Sequence, residues 1–298
     1  MIRDKNLALK LPPEIVGKNS QRPTQSSIFL NYNKVRKYWN NVKPSVLGPY
    51  MMEGFGFPLS AGFFRFQKEC KIVSSFIREF DSSSSVLDLG SGVGFWTQFF
   101  SNQFSKIVSV EASDILYKEL HSKFASNPRI RTIQCDVLQF APKEKFKVVF
   151  LGGLLMYLNR PEVETLLRRI SSWLEPGGVI ICRESTVRTG QIARKDDYQV
   201  VYRSQDEYRK LFLKSGYTVS NVIPNTPYLM LQMASELIKK WRALVPKQFW
   251  GTQILGRLFY WVLRPGYPFT TSALFKVLTT MGVKFPKLTN HFFVMRPK

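Results

Sequence analysis

Three glycines at alternate positions, Gly90, Gly92 and Gly94, follow the run Val86-Leu87-Asp88-Leu89, and Glu111 closes the next apolar run. Backbone without side chains lets a ligand approach closely, and a helix that starts there aims its N–H groups at that ligand. A carboxylate at the end of a second strand accepts hydrogen bonds from ribose hydroxyls. This is the chemistry of holding a nucleotide-like molecule. The spacing is GxGxG rather than the dinucleotide GxGxxG, so the glycines alone do not name the ligand. Two further acids belong to the same region: Asp88, just inside the turn, and Asp136 in QCDVLQF after a third apolar run.

Alternating elements must position these groups. The patterning predicts strand 86–89, helix 95–104, strand 107–111, helix 115–124, strand 130–134, strand 147–151, helix 161–174 and strand 179–182. A long loop follows, then helix 206–214 and strand 217–222. Pro161 at a helix start and Gly177-Gly178 after its end are the expected punctuation. Strands alternating with helices at this spacing predict βαβ units and an α/β, doubly wound, mostly parallel sheet. The final HFFVMR reads as a last strand. Five regions are expected: a flexible basic arm (1–27), a helical lid segment (28–80), the core (81–227), a basic aromatic insertion (228–288) and the last core strand (289–298).

Composition narrows the chemistry. The chain has 298 residues, 44% hydrophobic, and a formal net charge of +22. The excess is uneven: residues 228–298 hold eleven Lys/Arg and one acid, Glu236, whereas residues 1–50 hold nine Lys/Arg and two acids. Such a balance attracts phosphates, anionic lipid surfaces or acidic substrates and says little about fold. Cys70, Cys135 and Cys182 are widely spaced without a CxxC, which points to no disulfide framework and no metal. Of the two histidines, His121 falls in a helix remote from the strand ends, and His291 opens the last strand as a structural residue. No signal peptide and no ordinary membrane span are read. A cytoplasmic location, with peripheral attachment to a membrane as an option, is the expectation.

Taken together, VLDLGSGVG, Glu111, CDV, VVFLGGLLMYL and LEPGG resemble the ordered motif set of the class I S-adenosylmethionine-dependent methyltransferases. The resemblance covers roughly residues 85–225 plus the last strand and implies a seven-stranded Rossmann-like sheet whose last strand is antiparallel. It implies cofactor contacts from Asp88, Gly90, Gly92 and Gly94 near the methionine portion and from Glu111 on the ribose. Asp136 with Val137 would lie near the adenine, and Leu151 and the residues after it would line the cofactor. LLMYLNRPEVE, RESTVRTG and VVYR are similar to stretches of the phosphoethanolamine N-methyltransferases. YWNNVKPSVLGPYMMEGFG resembles the N-terminal segment of the protein α-N-terminal methyltransferases. In that family an Asn and an Asp after the fifth strand hold the incoming amine; here those positions carry Ser185 and Tyr198, with Asp196 and Asp197 nearby. The (D/N)PP(Y/F) loop and the Pro-Cys nucleophile of nucleic-acid enzymes are missing, which disfavours base-flipping modification.

The expected acceptor is therefore an amine or hydroxyl on a small phosphorylated or lipid-associated molecule. Arg183 and Arg203, with Arg188 as a third candidate, would hold the anion, while Tyr157 and Glu184 would face the nucleophile as catalytic groups. Tyr202 would form a wall, and Tyr38, Trp39, Met52 and Glu53 a lid. Each has a plainer alternative as packing or a solvent-facing strand end. The alternative functions are a protein or RNA methyltransferase and a non-catalytic, membrane-associated accessory that binds the cofactor. The segment from Lys239 to Phe269, rich in Lys/Arg, Trp, Tyr and Leu, fits three roles: a membrane-surface element, a roof over the substrate pocket, or a surface for nucleic acid or protein.

Overall fold

The computed structural model describes residues 29–44, 55–246, 252–267, 269–281 and 285–298. The basic arm, Met52, Glu53 and Trp250 lie outside these residues.

Leucine, valine and isoleucine runs too short for helices form the centre of a sheet. Its strands are β1 (Ser85–Leu89), β2 (Lys106–Glu111), β3 (Ile130–Gln134), β4 (Phe146–Leu151) and β5 (Leu174–Val187). These pair in parallel in the order β3-β2-β1-β4-β5. The central strands β1, β2 and β4 are buried on both faces, as parallel strands covered by helices must be, while β3 forms a partly exposed edge. One face packs Leu87, Leu89, Val149 and Ile180 against helix α5 (Arg160–Trp173) and its neighbours, and the other packs Val86, Val148 and Phe150 against Trp96 and Phe100. Between β1 and β4 the winding reverses, and the strand C-terminal ends there form the crevice in which such sheets bind ligands.

Local signals fix the helices that frame this crevice. Helix α3 (Phe95–Ser101) starts from Gly94, which is left-handed at φ 82°. Ser113 caps α4 (Asp114–Phe124) by accepting from the Leu116 amide, and Pro161 lies in the first turn of α5. Ser204 caps α6 (Gln205–Lys214) in the same way, through the Glu207 amide at 3.3 Å. Asn31 caps α1 (Tyr32–Trp39), which lies N-terminal to the long helix α2 (Leu59–Ile77).

Among the described residues the sheet has nine strands, not the seven the family resemblance implies. The last strand, β9 (Thr289–Pro297), does run antiparallel between β5 and β8 (Tyr217–Pro224). The additional pair is a hairpin, β6 (Gln191–Arg194) and β7 (Val200–Ser204), where the sequence suggests a loop. Strand β5 is longer than expected and carries it: Thr186 pairs with Thr289 on one edge and with Arg203 on the other. Strand β7 thus takes the edge that β4 leaves at Leu151, and the hairpin stands beyond the end of β4.

Among its described residues the insertion holds three helices: α7 (Thr226–Leu244), α8 (Thr252–Leu263) and α9 (Phe269–Thr280). Helix α7 packs on α2 and carries both α8 and α9. Gly256 explains the seat of α8, because a Cβ there would lie 2.1 Å from the Phe55 carbonyl oxygen.

Candidate active site

A cavity of about 1080 Å³ opens at the strand ends, floored by Gly90, Ser91, Gly92 and Glu111. The turn is held by the neighbouring strand: the Gly90 and Ser91 amides donate to the Val110 carbonyl at 2.8 and 3.0 Å. Gly92 and Ser113 donate their amides to the two Glu111 oxygens at 2.8 and 2.9 Å. Burial raises the pKa of this carboxyl, and those amides oppose the shift by favouring the anion. Each carboxylate oxygen keeps a second lone pair for a ligand hydroxyl. Gly92 is left-handed at φ 57°, and a Cβ built there meets nothing within 4 Å. A bare backbone beside open space and an acceptor at hydroxyl distance from it fit an adenosyl cofactor.

The loop after β3 supplies the next wall. Asp136 accepts the Leu138 amide through Oδ1 at 2.9 Å and receives Arg36 of α1 on Oδ2 at 3.2 Å, and Val137 and Leu138 line the cavity beside it. Helix α1 spans the opening and is tied at both ends. Ser113 donates to the Trp39 carbonyl at 3.0 Å, while the Asn159 amide donates to the Tyr32 hydroxyl at 3.0 Å. The expected lid residues Tyr38 and Trp39 both face the cavity.

Five expected cofactor or acceptor contacts, Asp88, Gly94, Leu151, Arg203 and Arg188, lie elsewhere. Asp88 sits behind the turn, not on the cavity wall: its Oδ2 accepts the Thr97 hydroxyl at 2.7 Å, and Thr97 also meets Ser109. Burial pushes the Asp88 carboxyl up to about 7, with Thr97 pulling the other way and Glu111 adding to the rise. Gly94 is a packing glycine, since a Cβ there would strike Phe124 at 2.5 Å and Leu120 at 2.7 Å. Leu151 is a core residue; Gly152, Gly153 and Leu154, which follow it, line the cavity. Arg203 is 1% exposed and donates to the Leu155 and Leu158 carbonyls at 2.9 and 2.6 Å.

Glu184 is likewise no partner for a nucleophile. Alternate residues of a strand face opposite sides, and Arg183 and Ser185 take the cavity side of β5. Glu184 points to the other, fully buried, and accepts the Leu155 amide at 2.9 Å. Burial raises its pKa to about 7, while the Leu155 amide, Arg183 and Arg203 favour the charged form. Glu184 and Arg203 thus clamp the 3-10 turn Leu155–Tyr157 from beneath. That turn presents Tyr157 to the cavity, where its hydroxyl meets that of Tyr198 at 2.6 Å. Burial lifts both phenols well above their ordinary value, so both remain protonated at neutral pH and neither is a base.

Rings and cations make up the remaining wall. Tyr38, Trp39, Tyr157 and Tyr198 close a cycle with centroid separations of 5.5, 5.4, 5.9 and 4.8 Å in order around it, three of the contacts near-perpendicular and the fourth, Tyr38–Tyr198, at 63°. Arg183 lines the cavity and donates to the Gly152 carbonyl at 3.0 Å. Arg188 instead reaches the Phe285 carbonyl at 3.2 Å. Arg65 of α2 was not among the expected groups. It is buried, lies over the Tyr228 ring at 4.7 Å and pairs with the buried Glu69 at 2.7 Å. Its signal was present in the sequence: Ala61, Arg65, Glu69, Val73 and Ile77 form one buried stripe at intervals of four, and two of the five are charged. Arg194 and Lys239 complete a lining of eight Lys/Arg against three acids. The two histidines sit as expected: His291 is buried against Thr186 and Gln205, its pKa lowered to about 4 by burial, and His121 is on the surface.

Residues 86–178, which include the glycine turn, the Asp136 loop and the Tyr157 turn, match a family model described as a methyltransferase domain. The chain carries a methyltransferase domain. Phosphoethanolamine N-methyltransferase 1 of Triticum aestivum is 31% identical over 137 residues, 44% of this chain and 27% of that protein. The chain therefore spans about a quarter of the length of the curated relatives it first matches. N-terminal Xaa-Pro-Lys N-methyltransferase 1 of Xenopus tropicalis is 26% identical over 196 residues, 63% of this chain and 85% of that one. A solved S-adenosylmethionine-dependent methyltransferase from Leishmania major superposes with a TM-score of 0.55 at 20% identity, over 65% of this chain and 76% of that chain, and shows the same fold. The floor and wall of this cavity fit an S-adenosyl cofactor, and Gly90–Gly92, Glu111, Asp136 and Val137 are the residues that would hold one.

Proposed function

We propose that the protein transfers a methyl group from S-adenosylmethionine to an amine of a small acceptor that also bears a phosphate or another anion, free or carried on a lipid. The observation that carries this reading is the shared wall of the cavity, in which a four-ring aromatic cycle stands with a predominantly cationic lining. A ring attracts an ammonium group that lies over its face within about 6 Å of the centroid, and Arg194 already stacks in this way on Tyr198 at 5.2 Å; the wall offers the faces of Tyr38, Trp39 and Tyr157 to an acceptor amine. Arginine and lysine at Arg183, Arg194 and Lys239 supply donors for an anion. A hydroxyl acceptor has no use for the first feature, which favours the amine.

Bound in its cradle, the cofactor supplies an electrophilic methyl group. The chain's own residues position the acceptor and exclude water, which is the larger part of such catalysis. Tyr157 and Tyr198, kept protonated, orient the amine by hydrogen bonding, and the proton leaves to solvent before attack. Helix α1 closes over both ligands.

A second reading, methylation of a protein N-terminus, is favoured by the 85% coverage of the Xenopus relative. One experiment separates them. Purified protein is incubated with methyl-labelled S-adenosylmethionine and either phosphoethanolamine, a Xaa-Pro-Lys peptide or a total lipid extract. Label on phosphoethanolamine or lipid supports the proposal. Label on the peptide alone supports the second reading and overturns the first. Cofactor binding by calorimetry with no label in any acceptor supports a non-catalytic, cofactor-binding role.

A further inference from the structure

Helix α8 is apolar on both sides. Its inner side is fixed by Gly256 and by Tyr260, which is buried and reaches the Ser60 carbonyl at 3.3 Å. Its outer side carries Ile254 (73% exposed), Leu258 (54%), Trp261 (54%) and Val262 (63%). Those positions recur at i, i+4, i+7 and i+8 and form one face of a helix. Arg257 shares that face, and the Arg264 guanidinium lies 5.2 Å over the Trp261 ring. Helix α9 repeats the pattern with exposed Phe269 and Val277 beside Lys276, and with Met281 just past its end. Nothing about the core requires these side chains to be apolar.

We infer that the outer face of α8 and α9 docks the protein on an anionic bilayer surface, with the helices lying in the headgroup region. Three observations choose this occupant. From Leu237 to Lys298 the chain has eleven Lys/Arg and no acid, and the exposed Arg257, Arg264 and Lys276 of this number belong to α8, its end and α9, so the face complements an anionic surface. A second copy would present the same charge and be repelled. Single-stranded RNA stacks on planar rings, whereas most of this face is aliphatic: Ile254, Leu258, Val262 and Val277. The geometry also fits. Helix α8 is about 18 Å long at the α-helical rise, and among the described residues no helix is long and apolar enough to cross a membrane. A short helix with bulky apolar residues outward and Lys/Arg at its margins lies in the interface plane.

The consequence concerns access to the cavity. Helix α7 bears α8 and α9 and lines the cavity through Tyr228, Gln232, Ser235 and Lys239. A bilayer under α8 and α9 therefore lies one helix away from the acceptor wall. The inference itself does not depend on which acceptor is methylated.

The test uses the full chain and sedimentation with vesicles of phosphatidylcholine, with and without phosphatidylserine. The wild type is expected to partition onto the anionic vesicles at least tenfold better than onto neutral ones, with a blue shift that Trp261→Phe removes. The variant Ile254→Ser/Leu258→Ser/Val262→Ser should lose at least tenfold of that partitioning, and Arg257→Gln/Lys276→Gln several-fold. Both should bind S-adenosylmethionine as the wild type does, which shows that they fold. Wild-type protein that ignores anionic vesicles, or a triple-serine variant that partitions equally, overturns the inference. So does a wild-type dimer that the triple-serine variant converts to monomer without any vesicle binding, because the face would then be a self-association surface. Failure here leaves the acceptor experiment untouched, since that one is read with soluble phosphoethanolamine.

Discussion

Gly92 and Asp88 stand four residues apart at the same turn and have opposite duties. Gly92 faces the cavity, and space is open where its Cβ would stand. Gly92→Asp should therefore leave the fold intact, because aspartate tolerates left-handed backbone, while its carboxylate beside Glu111 fills the cofactor's approach. We expect at least a hundredfold weaker binding of S-adenosylmethionine by calorimetry, about 2.7 kcal/mol, with an unchanged circular dichroism spectrum. Asp88 is a stability residue whose carboxyl ionises near 7 in the fold against an ordinary value of 3.8. Between those values the folded state binds more protons than the unfolded one, so the stability it contributes is present at acid pH and is lost as pH rises through about 7. Asp88→Asn keeps an acceptor for Thr97 and removes the titration. The melting temperature of the variant relative to wild type should rise between pH 5 and pH 8; a constant difference would show that Asp88 does not carry this pH dependence. Glu184→Ala should also destabilise the fold, by about 3 kcal/mol in chemical denaturation, because it leaves the buried Leu155 amide without its acceptor and removes the carboxylate that faces the charges of Arg183 and Arg203.

At the scale of elements, the repeating strands and helices were legible because each is a short apolar run between clear caps. The glycine turn, Glu111, Asp136 and the Tyr157 turn were legible for the same reason, since motif order places them at strand ends. What the sequence hid was parity. In CRES, nothing local says that Arg183 faces the ligand while Glu184 faces the core; only the pairing of β5 with β4 and β9 settles it. Asp88 obeys the same hidden parity: its side chain turns to Thr97 and not to the cavity. The β6–β7 hairpin was hidden because its pairing depends on β5 extending to Val187, a non-local fact. That hairpin and α1 meet at the rings, through Tyr38 and Tyr198. The tether of α1 is testable by itself. Tyr32 receives both the amide and the side-chain nitrogen of Asn159 at 3.0 and 2.9 Å. Tyr32→Phe leaves those donors unpaired at the lid's hinge, and we expect faster hydrogen exchange across α1 and a several-fold weaker cofactor affinity, without a change in exchange of the β-sheet.

For the whole molecule, the charge has to be explained by something other than folding. A net +22 imposes self-repulsion on a compact chain, and the parallel sheet gains nothing from it. The excess lies chiefly in the terminal region that includes the cap and the last strand, with a smaller contribution from the N-terminal fifty residues, and Lys239 brings part of it to the cavity wall. A field of this kind accelerates encounter with anions and is screened within about 8 Å at physiological salt. The cofactor carries a sulfonium and an ammonium against one carboxylate, so the same field opposes it weakly. The two ligands should therefore respond differently to salt. Raising ionic strength from low to physiological should increase KM for a phosphorylated acceptor several-fold and leave the calorimetric affinity for S-adenosylmethionine within twofold. Equal responses of both ligands would detach the charge from acceptor capture and leave it entirely to the surface that α8 and α9 present.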